Sequence, residues 1–95
     1  MSFRIEYMPG AISDLASLRS FDRQAIVDAV LLHLTHQPKR ESKSRIKKLD
    51  QPFWSEFRLR VGEFRVYYDV DEATQMVSVL RILEKGTSET PKETP

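Results

Sequence analysis

The sequence contains no cysteine, which excludes a disulfide-stapled scaffold, a thiolate metal site and a cysteine nucleophile. Its only two histidines, His33 and His36, argue against a zinc centre. No apolar run approaches the roughly 20 residues needed to cross a bilayer. The stretch Met1 to Tyr7 carries no apolar segment of signal-peptide type. Neither a phosphate-binding G-x-x-x-x-G-K loop nor a G-x-G-x-x-G turn is present, and no G-x-S-x-G elbow is found. Asp71-Glu72 lacks the periodic ligands of a calcium loop. These absences lead to an expectation of a soluble, cytoplasmic protein with no metal, no cofactor and no membrane partner. With 95 residues, the chain suits one domain with a thin core, since a chain this short buries only about 60–65% of its unfolded surface.

What is present is an uneven charge. The total is 15 basic against 14 acidic side chains, or +1. Residues 37–67 hold nine basic and four acidic side chains, a net of +5. Residues 68–95 hold three basic and six acidic, a net of −3. The near-neutral sum therefore averages a basic middle and an acidic C-terminal third.

Residues 2–7 alternate apolar and charged, the period-2 pattern of a half-buried strand. Pro9 suits the first turn of a helix, and Ala11, Ile12, Leu15 and Leu18 supply its apolar stripe. Ser20 is placed to cap a second helix, with Asp22 near its positive end. Its apolar positions are Phe21, Ala25, Ile26, Ala29, Val30, Leu32 and Leu34, and it should end before Pro38. Two helices joined so tightly should pack as a hairpin. Residues 37–45 read as a basic loop, and Ile46 and Leu49 anchor a short extended piece. Two alternating runs, Phe57 to Val61 and Phe64 to Val70, flank Gly62-Glu63, a type II′ hairpin signal with glycine first. Met76 to Leu83 is apolar on both faces apart from Ser78 and Arg81, as a central strand would be. The expected fold is α+β, in the order β-α-α-β-β-β. A helical hairpin lies on one face of a small, mostly antiparallel twisted sheet. Residues 1–85 form the domain, and 86–95, with two prolines and no apolar side chain, form a flexible tail.

A two-residue Gly62-Glu63 loop fixes the register. Val61 faces Phe64, Arg60 faces Arg65, Leu59 faces Val66, Arg58 faces Tyr67 and Phe57 faces Tyr68. The apolar six share one face, beneath the helices; Arg58, Arg60, Arg65 and Tyr67 share the other. Opposed arginines destabilise a sheet, so a face that keeps them points to a use for their field. A solvated face is the bland alternative, and a bare R-x-R on a strand is a weak signal. The preceding loop shifts the balance by adding Lys43, Arg45, Lys47 and Lys48. Converging cations are what a phosphate backbone requires, and Tyr67 adds a base-stacking surface. Trp54 reads as a core or rim anchor. His33 and His36 read as surface or helix-end residues rather than ligands.

The segment Phe57-Arg58-Leu59-Arg60-Val61-Gly62-Glu63-Phe64-Arg65-Val66-Tyr67-Tyr68 resembles the R-x-R-V-G-(D/E)-(Y/F)-R-V-x-Y core of the RelE/ParE superfamily of bacterial toxins. The A-x-x-D-L run at Ala11 to Leu15, the helix end at His36-Gln37-Pro38 and Lys48-Leu49 agree with it. The likeness covers roughly residues 3–85.

This resemblance implies a type II toxin held inactive by a cognate antitoxin. RelE-type members cleave mRNA on the ribosome, whereas ParE-type members poison DNA gyrase. On the nuclease reading the catalytic set is Arg65, Arg58 and Lys85, with Arg60, Tyr67, Lys43, Arg45, Lys47 and Lys48 binding RNA. Arg65 matches the G-x-(Y/F)-R arginine. Arg58 stands where the nuclease branch has lysine, and Lys85 stands where arginine is more usual. Glu56 replaces a further strand lysine, and residues 86–91 lack the branch's C-terminal tyrosine. The expected activity is a metal-independent, ribosome-dependent mRNA endoribonuclease. The alternatives are a gyrase inhibitor and a toxin-like protein without catalysis that acts through its antitoxin.

Overall fold

The computed structural model describes residues 2–86. Its elements are β1 (Arg4–Tyr7), α1 (Pro9–Ala16), α2 (Ser20–Leu34), β2 (Ile46–Lys48), β3 (Phe57–Val61), β4 (Phe64–Asp71) and β5 (Met76–Glu84). The extended piece expected at Ile46 is thus a short fifth strand. The sheet order is β1-β5-β4-β3-β2, with β1 parallel to β5 and the remaining pairs antiparallel. This is the expected α+β architecture. β5 lies between β1 and β4, which accounts for its apolar character on both faces. The flexible tail expected at 86–95 lies, beyond Gly86, outside the described residues.

Pro9 opens α1 at its first turn without a side-chain cap. Gly10 is needed there for space: a Cβ on it would stand 2.8 Å from Arg81 Cδ and 3.1 Å from the Leu80 carbonyl oxygen. α1 therefore rests almost directly on β5. At its other end, the Arg23 guanidinium donates to the carbonyls of Leu15 (3.0 Å), which also accepts the Leu18 amide, and of Leu18 (2.8 Å), just past the helix. That same contact ties α1 to α2 and sets the helical hairpin. The cap of α2 is Arg19, not Ser20, which is already its first helical residue.

The core lies between the helices and one sheet face. Ile26, Val30 and Leu34, four residues apart along α2, meet Phe57, Leu59, Val66, Tyr68, Val77, Val79 and Ile82. Phe21 and Leu32, expected on the buried stripe, fall off it and are exposed. Phe57 and Tyr68 stack at 5.5 Å across the β3–β4 pair. The Tyr68 hydroxyl donates to the Pro38 carbonyl at 2.6 Å, fastening the loop after α2 to the core.

The β3–β4 register is the one expected from the two-residue loop. Gly62 has φ +57°, and Glu63 is not among the positive-φ residues, as a type II′ turn requires. β5 carries one irregularity: Leu80 is an extra residue between the pairs Tyr68↔Val79 and Tyr67↔Arg81. β1 ends beside this bulge, so among the described residues the following β5 edge has no strand partner. Asp14 of α1 serves it instead, accepting from the Ile82 amide at 2.8 Å. The same carboxylate takes the Arg81 guanidinium in a fork, at 2.7 and 3.0 Å.

Candidate nucleic-acid interface

The sheet face turned away from the helices carries the expected cations in two rows. Arg60 stands opposite Arg65, and Arg58 opposite Tyr67. β2 extends the second row by setting Lys47 opposite Arg58. Side chains directly opposite in such pairs lie about 4.5–5.5 Å apart at Cβ, so the register starts Arg60 and Arg65 side by side on this face. The rows grade in exposure. Arg60 is exposed, Arg65 and Lys47 are half-buried, and Arg58 is only 7% exposed.

The other expected cations are distributed differently. The Lys85 amide donates to the Glu63 carbonyl at 2.7 Å, which places Lys85 beside the hairpin turn, exposed, at the Arg60–Arg65 end. Lys43 sits on an exposed turn that Ser42 holds through its hydroxyl, which accepts from the amides of Arg45 and Ile46. The Arg60 amide donates to the Arg45 carbonyl, so the backbone of Arg45 continues the first row. Its side chain instead lines a cleft of about 400 Å³ with His33, His36, Arg40 and Ser42 at the end of α2. Lys48 shares the helix side of the sheet with Ile46, because the side-chain period is two; it does not join the arginine rows. Among the described residues, Lys43, Arg45, Lys47, Lys48, Arg60 and Lys85 form no ion pair.

Tyr67 is fully buried, so it offers no open stacking surface. Its ring lies within a small apolar cluster with Leu49, Leu83 and Phe53 on this face. Trp54 covers it at a centroid distance of 4.9 Å and is 45% exposed. The aromatic presented to solvent beside the arginines is therefore Trp54, in keeping with a rim anchor.

At the far end of the face the two carboxylates are occupied with backbone. Asp69 accepts from the Glu56 amide at 2.8 Å, and Glu56 accepts from the Val70 amide at 3.0 Å. Burial pushes the Asp69 carboxyl upward in pKa, its hydrogen bond with the Glu56 backbone opposes this, and the Glu56 charge adds to the rise. Among the described residues neither carboxylate forms an ion pair with the arginine rows. His33 has its pKa lowered by burial first and by the Arg45 charge second. The chain thus brings a histidine within the field of one expected cation, which the linear sequence did not suggest. Chemically, the face can hold and neutralise phosphate. Among the described residues no group of three or more His, Asp or Glu side chains is arranged to hold a metal ion. No described helix is long and apolar enough to cross a membrane.

Residues 5–88 match the model of the family described as ParE toxin of type II toxin–antitoxin system, parDE. The chain belongs to this toxin family. It is a toxin of the RelE/ParE superfamily. No curated protein shows a significant match to it. Similar solved structures include the RelBE2 toxin–antitoxin complex of Mycobacterium tuberculosis, at 23% identity and TM-score 0.75, covering 90% of this chain and 100% of that one. The RelE–RelB complex of Pyrococcus horikoshii follows at 21% identity and TM-score 0.69, covering 93% and 100%. A mutant of the Escherichia coli toxin RelE in the free state has 18% identity and TM-score 0.68, covering 94% and 90%. At these identities the structural likeness establishes the toxin's fold.

Proposed function

We propose that this toxin acts on RNA through its arginine face, as a ribosome-dependent mRNA endoribonuclease that stops translation in the cytoplasm. The observation that carries the reading is the direct opposition of Arg60 and Arg65, with Lys47 and Arg58 in the adjoining row. Opposed like charges cost a sheet stability, and a bound phosphate backbone removes that cost. Cleavage without a metal would proceed by attack of the RNA 2′-hydroxyl on the adjacent phosphorus, its proton passing to water, to give a 2′,3′-cyclic phosphate and a 5′-oxygen that leaves protonated by water. Arg65, Arg60 and Lys85 would stabilise the charge that builds on the phosphate, with Arg58, buried in the adjoining row, supporting the field. The described part of this face supplies no histidine, so positioning and electrostatics carry the chemistry, and the ribosome helps to orient the RNA. No cofactor enters this scheme.

The partner is an antitoxin. The similar structures from M. tuberculosis and P. horikoshii are toxin–antitoxin complexes, which supports this reading. An acidic antitoxin segment laid across the arginine face would switch the toxin off, and its binding should weaken as salt rises. Arg65→Ala tests the nuclease reading: growth arrest on induction should vanish while the fold is retained. Full toxicity in that variant would refute it.

A second reading is a gyrase inhibitor without chemistry of its own. It is favoured by the ParE description of the matching family and by the absence of a histidine from the described arginine face. A supercoiling assay with purified gyrase separates the two.

A further inference from the structure

Trp54 is the one tryptophan of the chain, and it sits where the arginine rows meet the apolar cluster. Its ring stacks on Phe53 at 5.1 Å and 25°, and leans on Tyr67 at 4.9 Å and 49°. Phe53 and Tyr67 also touch, at 6.2 Å, so three rings brace one another. Tyr67 is fully buried and Phe53 half-buried, whereas Trp54 is 45% exposed. One side of the indole is therefore held by protein and the rest is open.

The loop that carries it is fastened at several points. The Gln51 side-chain amide donates to the carbonyls of Leu49 (3.3 Å) and Ser55 (3.1 Å), and its oxygen accepts from the Phe53 amide (3.3 Å). Buried Ser55 donates from its hydroxyl to the carbonyls of Phe57 and Tyr68, at 2.9 and 3.2 Å. The indole is thus fixed before any ligand arrives, which removes an ordering cost from binding. A lid over Tyr67 needs only an aliphatic side chain; a braced, half-open indole is a surface made for another flat ring.

Its neighbours identify the ring. Tyr67, beneath the indole, pairs with Arg58, and Arg58 pairs with Lys47. Arg65 and Arg60 lie two residues farther along their strands, about 7 Å from Tyr67 and Arg58 along the backbone. The cations thus continue from the ring cluster along the same sheet face, as a strand of successive phosphates would require. Stacking on aromatic side chains and cationic tracking of the backbone are the paired devices by which proteins hold single-stranded RNA.

We infer that Trp54 is a nucleobase-stacking platform, which seats one unpaired base of the RNA whose phosphates the arginine rows hold. The inference rests on the RNA reading of that face and adds to it a positioning residue and a single-stranded substrate. The platform favours large flat bases through stacking area rather than through hydrogen bonds.

The test uses the full chain and its own tryptophan fluorescence. A short single-stranded RNA oligonucleotide is titrated in at low salt, beside an abasic oligonucleotide of equal length and charge. The base-bearing RNA should quench Trp54 emission and bind more tightly than the abasic one. Trp54→Leu, which keeps an apolar lid over Tyr67, should lose roughly tenfold or more in affinity for base-bearing RNA and nothing for the abasic strand. Trp54→Phe should recover part of the loss, and thermal unfolding of each variant shows that the fold is intact. Equal binding of both strands by wild type and Trp54→Leu, without quenching, would overturn the platform and leave the arginine reading standing. No binding of either strand would overturn both. Unchanged RNA binding by Trp54→Leu, together with lost antitoxin capture, would assign the indole to the protein partner and also overturn the proposal.

Discussion

Asp14 and Arg81, separated by 67 residues in sequence, form a two-point fork between α1 and β5, with N–O distances of 2.7 and 3.0 Å. The same carboxylate accepts the Ile82 amide at the open β5 edge. One side chain thus answers a charge and an edge amide, at the bulge where β1 has ended. Their side chains are 37% (Arg81) and 15% (Asp14) exposed, so water screens part of the attraction. Asp14→Ala should lower stability by about 2 kcal/mol, the range for hydrogen bonds to charged groups. Asp14→Asn, which keeps an acceptor for Ile82, should lose less. Urea unfolding measures both, and equal losses would show that the amide bond contributes nothing.

Gly62 occupies the left-handed region with no atom near its vacant Cβ position. Its role is conformational alone. Gly62→Ala should cost about 1 kcal/mol, seen in the denaturant midpoint, with the β3–β4 register kept. A neutral substitution would mean that the turn adopts another form in solution.

The opposed pair Arg60 and Arg65 predicts that stability and function diverge. Arg60→Thr should raise stability by about 0.2–1 kcal/mol through relief of repulsion. It should also weaken RNA binding and reduce the salt slope by about 0.7 for one lost contact to a single strand. Parallel unfolding and salt-titration experiments would expose a purely structural pair as one with no change in slope.

His33 lies below its ordinary pKa because it is partly buried and faces Arg45. The fold therefore favours neutral imidazole. Its contribution is complete above the unfolded value of about 6.5 and is lost as pH falls through that value toward the folded one. Arg45→Gln should raise the His33 midpoint but leave it below the unfolded value, since burial is the larger cause. Proton NMR of the imidazole across pH 4–8 is the check, and an unmoved midpoint would place Arg45 elsewhere.

Much of this architecture is legible along the chain, because it rests on short-range rules. Period-2 alternation and Gly62-Glu63 determine the β3–β4 register, and Pro9 and Pro38 bracket the helical pair. What the sequence hides is tertiary. Asp14, Arg23 and Arg81 look like ordinary surface charges, and only packing makes them edge partner, helix-end donor and fork. Phe21 and Leu32 are apolar but miss the buried stripe of α2 by helical phase. Lys48 is basic, yet β2 turns it to the other side of the sheet. Tyr67 alternates with the arginines correctly, but a loop with no periodicity of its own folds Phe53 and Trp54 over it.

The central claim is that the arginine face engages mRNA. The most direct measurement is transcriptome-wide mapping of new mRNA 5′ ends after induction of the toxin and of Arg65→Ala. Ends should cluster within translated codons and disappear in the variant. Growth arrest without new ends, accompanied by inhibited supercoiling by gyrase, would contradict it.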